Sequence, residues 1–125
     1  MKKYWSAGVE SDLLDEIIKG RKIIEGRLNR GKFRDCKIGD IICLRRDFND
    51  DPEKDSVSDS ARVLITNIIK YKNFKTLLEE VGYKNAIPTA SSFEEAYNEY
   101  LKYYSEIDQN KFGVVAIEIK IIYYT

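Results

Sequence analysis

Near the C-terminus, residues 114–124 carry a run of large apolar residues at every second position. Val115, Ile117, Ile119, Ile121 and Tyr123 fall on one side of an extended backbone, with Glu118 and Lys120 on the other. A period of two sustained over that length fits no helix and predicts a long, half-buried strand. Such a strand is unstable without hydrogen-bonded neighbours, so the rest of the chain must supply a sheet. Two segments qualify by apolar content, and residues 22–28 are a third. Residues 41–45, Ile-Ile-Cys-Leu-Arg, follow a turn at Ile38, Gly39 and Asp40, and residues 62–71 are rich in Val, Leu and Ile.

Helical spacing occupies the intervals. Leu13, Leu14, Ile17 and Ile18 form the apolar stripe of a helix over 12–19. Ser11 is placed to cap it, Asp12, Asp15 and Glu16 suit its first turns, and Gly20 suits a left-handed end. Asn73 opens a second helix, in which Phe74, Leu77, Leu78 and Val81 recur at i, i+3, i+4 and i+7 before Gly82. Beyond Pro88, the run Ser91-Ser92-Phe93-Glu94-Glu95 offers a capping box in either register. The helix after it carries Phe93, Ala96, Tyr97, Tyr100, Leu101 and Tyr104 on one face, an aromatic stripe that reads as core packing. Tyr4 and Trp5 read as packing at the core's edge. Strands alternating with helices, without repeat or linker, predict one α+β domain over residues 1–125, built on an open mixed sheet or a small barrel.

Composition narrows the chemistry. The chain has no histidine, which removes Ser-His-Asp and Cys-His catalysis. Cys36 and Cys43 are its only cysteines, too few for zinc, and they read as buried small hydrophobes rather than a disulfide. Residues 47–60 hold six acids and Pro52 but almost nothing apolar, which predicts an exposed, mobile loop. That loop lacks the ligand spacing and glycine of a calcium-binding EF-hand. No cofactor or metal is expected. No apolar run is long enough to cross a bilayer, and the first residues lack a signal peptide's apolar segment, so a cytoplasmic protein is expected.

Charge is balanced overall, at 21 basic and 21 acidic residues, yet concentrated locally. Lys19, Arg21, Lys22, Arg27, Arg30, Lys32 and Arg34 lie within sixteen residues that contain a single acid, Glu25. A local basic patch suits an anionic ligand better than general coating of nucleic acid. Residues 22–28 read as a strand. Alternation puts Ile23, Glu25 and Arg27 on one side and Lys22, Ile24 and Leu28 on the other. Lys22 joins Glu25 and Arg27 only if the backbone just after Gly20 is irregular. Lys22 would then donate to a phosphate or base carbonyl, Glu25 would orient Arg27 or accept a base amine, and Arg27 would present a multi-donor fork. Gly26 would let a ligand or another backbone approach closely.

Gly20, Lys22, Glu25 and Arg27 match the pattern Gly-x-Lys-x-x-Glu-x-Arg, and with it the sequence resembles the ASCH family of the PUA-like superfamily. Further matches in family order are Gly39-Asp40, Tyr71, Phe74, Pro88, Glu94-Glu95-Ala96, Tyr100, Tyr104 and residues 113–117. The resemblance implies a PUA-like mixed β-barrel flanked by helices, with a cleft beside the motif and ligands drawn from RNA, nucleotides or modified bases. It implies a binding module whose ligand-contacting residues are Gly20, Lys22, Glu25, Gly26 and Arg27. Arg21, Arg30, Lys32 and Arg34 would then attract a nucleic-acid backbone. The alternative is a small hydrolase, either a ribonuclease or a modified-nucleoside amidohydrolase, working through Lys22. In the branch that deacylates N4-acetylcytidine, a Thr nucleophile lies three residues after the motif lysine. Glu25 stands there in this chain.

Overall fold

The computed structural model describes residues 1–125. Its strands are β1 (Tyr4–Glu10), β2 (Ile24–Leu28), β3 (Ile41–Asp47), β4 (Val57–Tyr71) and β5 (Val114–Tyr124). They form one mixed sheet in the order β1-β3-β4-β5-β2, curled into a half-barrel flanked by helices. Only β1 and β3 run parallel; the other pairs are antiparallel. The helices are α1 (Ser11–Ile18), α2 (Lys32–Asp35), α3 (Phe74–Val81), α4 (Tyr83–Ala86), α5 (Phe93–Leu101) and α6 (Glu106–Phe112).

β5 is the strand on which two cores meet. Val115, Ile117 and Ile119 pack with Leu14 and Ile17 of α1 and with Ile42 and Leu44 of β3. From the opposite face, Val114 and Ala116 join Phe74, Leu77 and Tyr100 beneath α3 and α5. Burying side chains of this size contributes about 1.5–3 kcal/mol each relative to exposure, so α1 and the α3–α5 layer are both anchored through β5. Past Glu118, β5 no longer has β2 as a neighbour. Tyr123 is accordingly 44% exposed despite its place in the apolar alternation, and Arg62 lies over its ring at 5.3 Å.

Several local expectations are corrected. Ser11 does not cap α1: the chain passes directly from β1 into the helix, and the Ser11 hydroxyl accepts from Arg46 at 2.7 Å instead. Trp5 packs at the core's edge as expected, whereas Tyr4 is exposed, and both open the edge strand β1. Val57 to Ser60 are strand rather than loop, because Arg46 of β3 pairs with Val57. The helices α3 and α5 begin where expected, with Asn73 accepting from the Thr76 amide at 2.8 Å and Ser92 from the Glu95 amide at 3.1 Å. Cys36 and Cys43 are free thiols, and burial pushes the Cys36 thiol up to about 11.

β1 and β2 are the two edges of the sheet, and side chains bridge the gap between them. Arg27 of β2 donates to the Gly8 carbonyl of β1 at 2.6 Å, and Lys32, at the start of α2, donates to the Ser6 carbonyl.

Candidate functional site

The site begins where α1 stops. Gly20 takes φ +79°, a left-handed conformation that costs a glycine little. The amides of Arg21 and Lys22 both return to the Glu16 carbonyl, at 2.9 and 3.0 Å. Ile23 donates to the Asn85 carbonyl at 3.0 Å, so β2 starts only at Ile24. Lys22 therefore precedes the strand, escapes its alternation and turns inward beside Glu25 and Arg27.

The Lys22 ammonium is buried and engaged. It donates to the carbonyls of Ile24 at 2.6 Å and Ala86 at 2.5 Å and lies 3.7 Å from Glu25 Oε1. Burial lowers its pKa, and the Glu25 charge opposes that. Arg27, fixed on Gly8, lies 3.7 Å from Glu25 Oε2 and 4.8 Å from the centroid of the Phe33 ring. Burial disfavours its charge, but Glu25 with Tyr104 and Tyr100 outweighs it and raises the pKa. Glu25 thus sits between two cations at distances too long for hydrogen bonds. It is 8% exposed, and its Oε2 has no hydrogen-bond partner.

Tyr100 approaches from α5. Its ring stacks on Phe74 at 4.2 Å with planes 4° apart, and its buried hydroxyl also lacks a partner. Burial, reinforced by Glu25 and Tyr104, pushes its pKa well above the ordinary tyrosine range, so the phenol stays a proton donor. Gly26 admits it: a Cβ there would lie 2.7 Å from the Tyr100 oxygen. The close approach at Gly26 is thus made by a phenol side chain, not by the ligand or backbone expected from the sequence.

Lys22, Glu25, Gly26, Arg27 and Tyr100 line one cavity of about 760 Å³. That volume is within the range of small-molecule sites, roughly 300–1,000 Å³. Its exposed lining, taken as the mouth, includes Asp12 and Asp50 with Arg45, Lys54, Lys102 and Tyr103, and Glu10 and Phe48 lie half-buried in the same lining, at the end of β1 and just after β3.

The ASCH domain family model matches residues 8–122. The chain belongs to the ASCH domain family. The crystal structure of hypothetical protein PH0355 is 36% identical and superposes with a TM-score of 0.82, covering 95% of this chain and 99% of that one. The solution structure of protein PF0455 from Pyrococcus furiosus is 34% identical, with a TM-score of 0.75 and coverage of 97% and 99%. A serine-to-alanine variant of ZmASCH from Zymomonas mobilis, 15% identical, shares the fold at a TM-score of 0.63, over 99% of this chain and 74% of that one. Curated proteins yield no match.

Within this ASCH domain the remaining residues singled out in the sequence lie elsewhere. Gly20, Arg21, Arg30, Lys32 and Arg34 do not line the cavity. Arg21 pairs with Glu16 at 2.5 Å, Arg30 lies over the Phe112 ring at 5.1 Å, Lys32 reaches Ser6 and Arg34 pairs with Asp35 at 3.3 Å. The sequence reading missed Tyr100 as a cavity residue. Its signals were its place among the family landmarks and a hydroxyl at a position where the aromatic stripe needs only a ring. Glu10, Asp12 and Asp50 carried no signal, because they are brought together only by the fold. No group of three or more His, Cys, Asp or Glu residues is placed to hold a metal ion, and no helix is long and apolar enough to cross a membrane.

Proposed function

We propose that this ASCH protein binds RNA or a nucleotide-like ligand by taking a base into the cavity beside Glu25. One observation carries the reading: Glu25 Oε2, which has only the Arg27 charge at 3.7 Å, and the Tyr100 hydroxyl are both buried in the cavity lining without a hydrogen-bond partner in the protein. Buried polar atoms normally find partners, and leaving one without costs about 1–3 kcal/mol. Together they are one acceptor and one donor, the complement of a nucleobase edge that carries an N–H beside a carbonyl or ring nitrogen. Lys22 and Arg27 flank the Glu25 carboxyl, each at 3.7 Å. Outside the cavity, Arg30 and Lys32 face no carboxylate and supply salt-sensitive attraction for a strand's phosphates, whereas Arg21 and Arg34 are paired with Glu16 and Asp35.

A hydrolase working through Lys22 has less support, since two main-chain carbonyls and Glu25 already surround its ammonium. The deciding measurement is fluorescence anisotropy with short single-stranded RNAs, together with calorimetry of mononucleotides. Glu25→Gln and Tyr100→Phe are each expected to weaken binding roughly tenfold, the scale of a lost base-edge contact. Melting temperature should stay within a few degrees of the parent. Affinity unchanged in both variants rejects the reading.

A further inference from the structure

The charges around the cavity differ in availability as well as in number. The lining holds seven acids and five bases. Four of the bases are engaged within the protein. Lys22 is held by carbonyls, Arg27 by Gly8 and Glu25, Arg45 by Asp47 at 2.5 and 2.9 Å, and Lys102 by Glu99 at 2.6 Å. The fifth, Lys54, lies over the Phe48 ring at 5.1 Å.

The acids of the mouth are not neutralised in the same way. Asp12 and Asp50 are exposed and join no ion pair. Glu10 accepts from the Asn49 amide at 2.8 Å through Oε1, while its Oε2 is buried without a partner. Burial raises the Glu10 pKa, and Asp50, Asp12 and Asp47 add to the rise, so the four carboxylates share one electrostatic field. Deeper in, Glu25 and Tyr100 are buried, and each ends in an atom with no hydrogen-bond partner.

We infer, resting on the base-binding reading above, that the cavity admits the N–H-donating edge of a nucleobase and turns phosphate away, with Glu10, Asp12 and Asp50 as the discriminating residues. A phosphate monoester carries about −1.5 to −2 charges at pH 7. Brought to this mouth it meets like charges that solvent only partly screens, with Lys54 as the one lining base in no ion pair to set against Glu10, Asp12 and Asp50. An uncharged nucleoside meets no such barrier. Its N–H reaches Glu25, and its acceptor reaches the Tyr100 hydroxyl. A free nucleoside and a single base of an RNA strand, with its phosphates kept outside the mouth, present this same chemistry.

The test is calorimetric titration, at low salt, with the four ribonucleosides, their 5′-monophosphates and an unphosphorylated single-stranded RNA hexamer of mixed sequence. At least one nucleoside should bind about tenfold or more tightly than its monophosphate, because the discrimination is electrostatic. In an Asp12→Asn, Asp50→Asn double variant the ratio should shrink to about threefold or less, and added salt should shrink it in the parent. Both residues are exposed, so the fold is not at risk. A hexamer that binds more tightly than any nucleoside, and loses that binding in Glu25→Gln, assigns the base to a strand; a hexamer no better than the nucleoside assigns it to a free nucleoside. A monophosphate that binds as well as its nucleoside in the parent overturns the inference while leaving base binding intact. So does a ratio that the double variant does not change. Hexamer binding indifferent to Glu25→Gln, or no binding of any probe by folded protein, overturns the base-binding reading and the inference with it.

Discussion

Asp40 is buried, and its oxygens accept from the Lys3 amide at 2.9 Å, the Trp5 indole at 2.9 Å and the Lys37 amide at 3.0 Å. Burial alone would raise its pKa; the bonds from Trp5, Lys3 and Lys37 outweigh it and hold the carboxyl below 3.8. A depressed carboxylate contributes stability above its unfolded value, and that contribution is lost as pH falls through the lowered one. Urea unfolding should therefore show the parent losing an acid-labile increment below pH 3.8 that Asp40→Asn does not have. At neutral pH the variant should be less stable by about 1–3 kcal/mol, the scale of bonds to a buried charged group. Trp5 is the only tryptophan and reports the event by fluorescence. Identical acid profiles would remove Asp40 from this role. The sequence suggested only a turn at Asp40. The same limit applies at Lys22: Gly20 hinted that the lysine turns inward, but its acceptor at Ala86 is 64 residues away and left no trace in the pattern.

Among the elements, β2 and α5 meet through Gly26. The Tyr100 ring is clamped on Phe74, so it has nowhere to go if a methyl group appears on β2. Gly26→Ala should cost about 1–3 kcal/mol of overpacking and show as a lower melting temperature. Replacing Tyr100 by Phe in the same chain should recover part of that loss, because the atom in closest conflict is the phenol oxygen. No recovery would mean that the backbone at Gly26, rather than the contact, sets the requirement. Elements with strong periodicity were legible: α1, α3, α5 and β5 lie where their apolar stripes put them. β1 was not, since Trp5, Ala7 and Val9 are a weak alternation and the strand depends on pairing with distant β3. The opening of β4 reads as loop because Ser58, Asp59 and Ser60 are polar, and Asp59 even adopts φ +50°. Partner strands override that local preference.

For the molecule as a whole, the half-barrel is drawn together at β1 and β2 by side chains instead of a backbone ladder. Arg27→Met removes the bond to Gly8 and leaves the ladders of β3, β4 and β5 untouched. Amide hydrogen exchange should rise roughly tenfold or more in β1, with β4 and β5 unchanged, because opening becomes local rather than global. Uniform acceleration across the sheet would show that Arg27 supports the whole fold. The ASCH architecture was legible from landmarks spread along the chain. The acid-rimmed mouth was not, since its members come from separate elements.

The segment from Phe48 to Ser56 closes one side of that mouth through a single bond, Asn49 to Glu10, and through short turns within itself. Neither core reaches it. Selection can therefore rewrite the gatekeeping stretch, lengthening it or exchanging its charges, without disturbing the recess below. On the base-binding proposal, choice of guest and soundness of the scaffold are then inherited on separate letters of the gene.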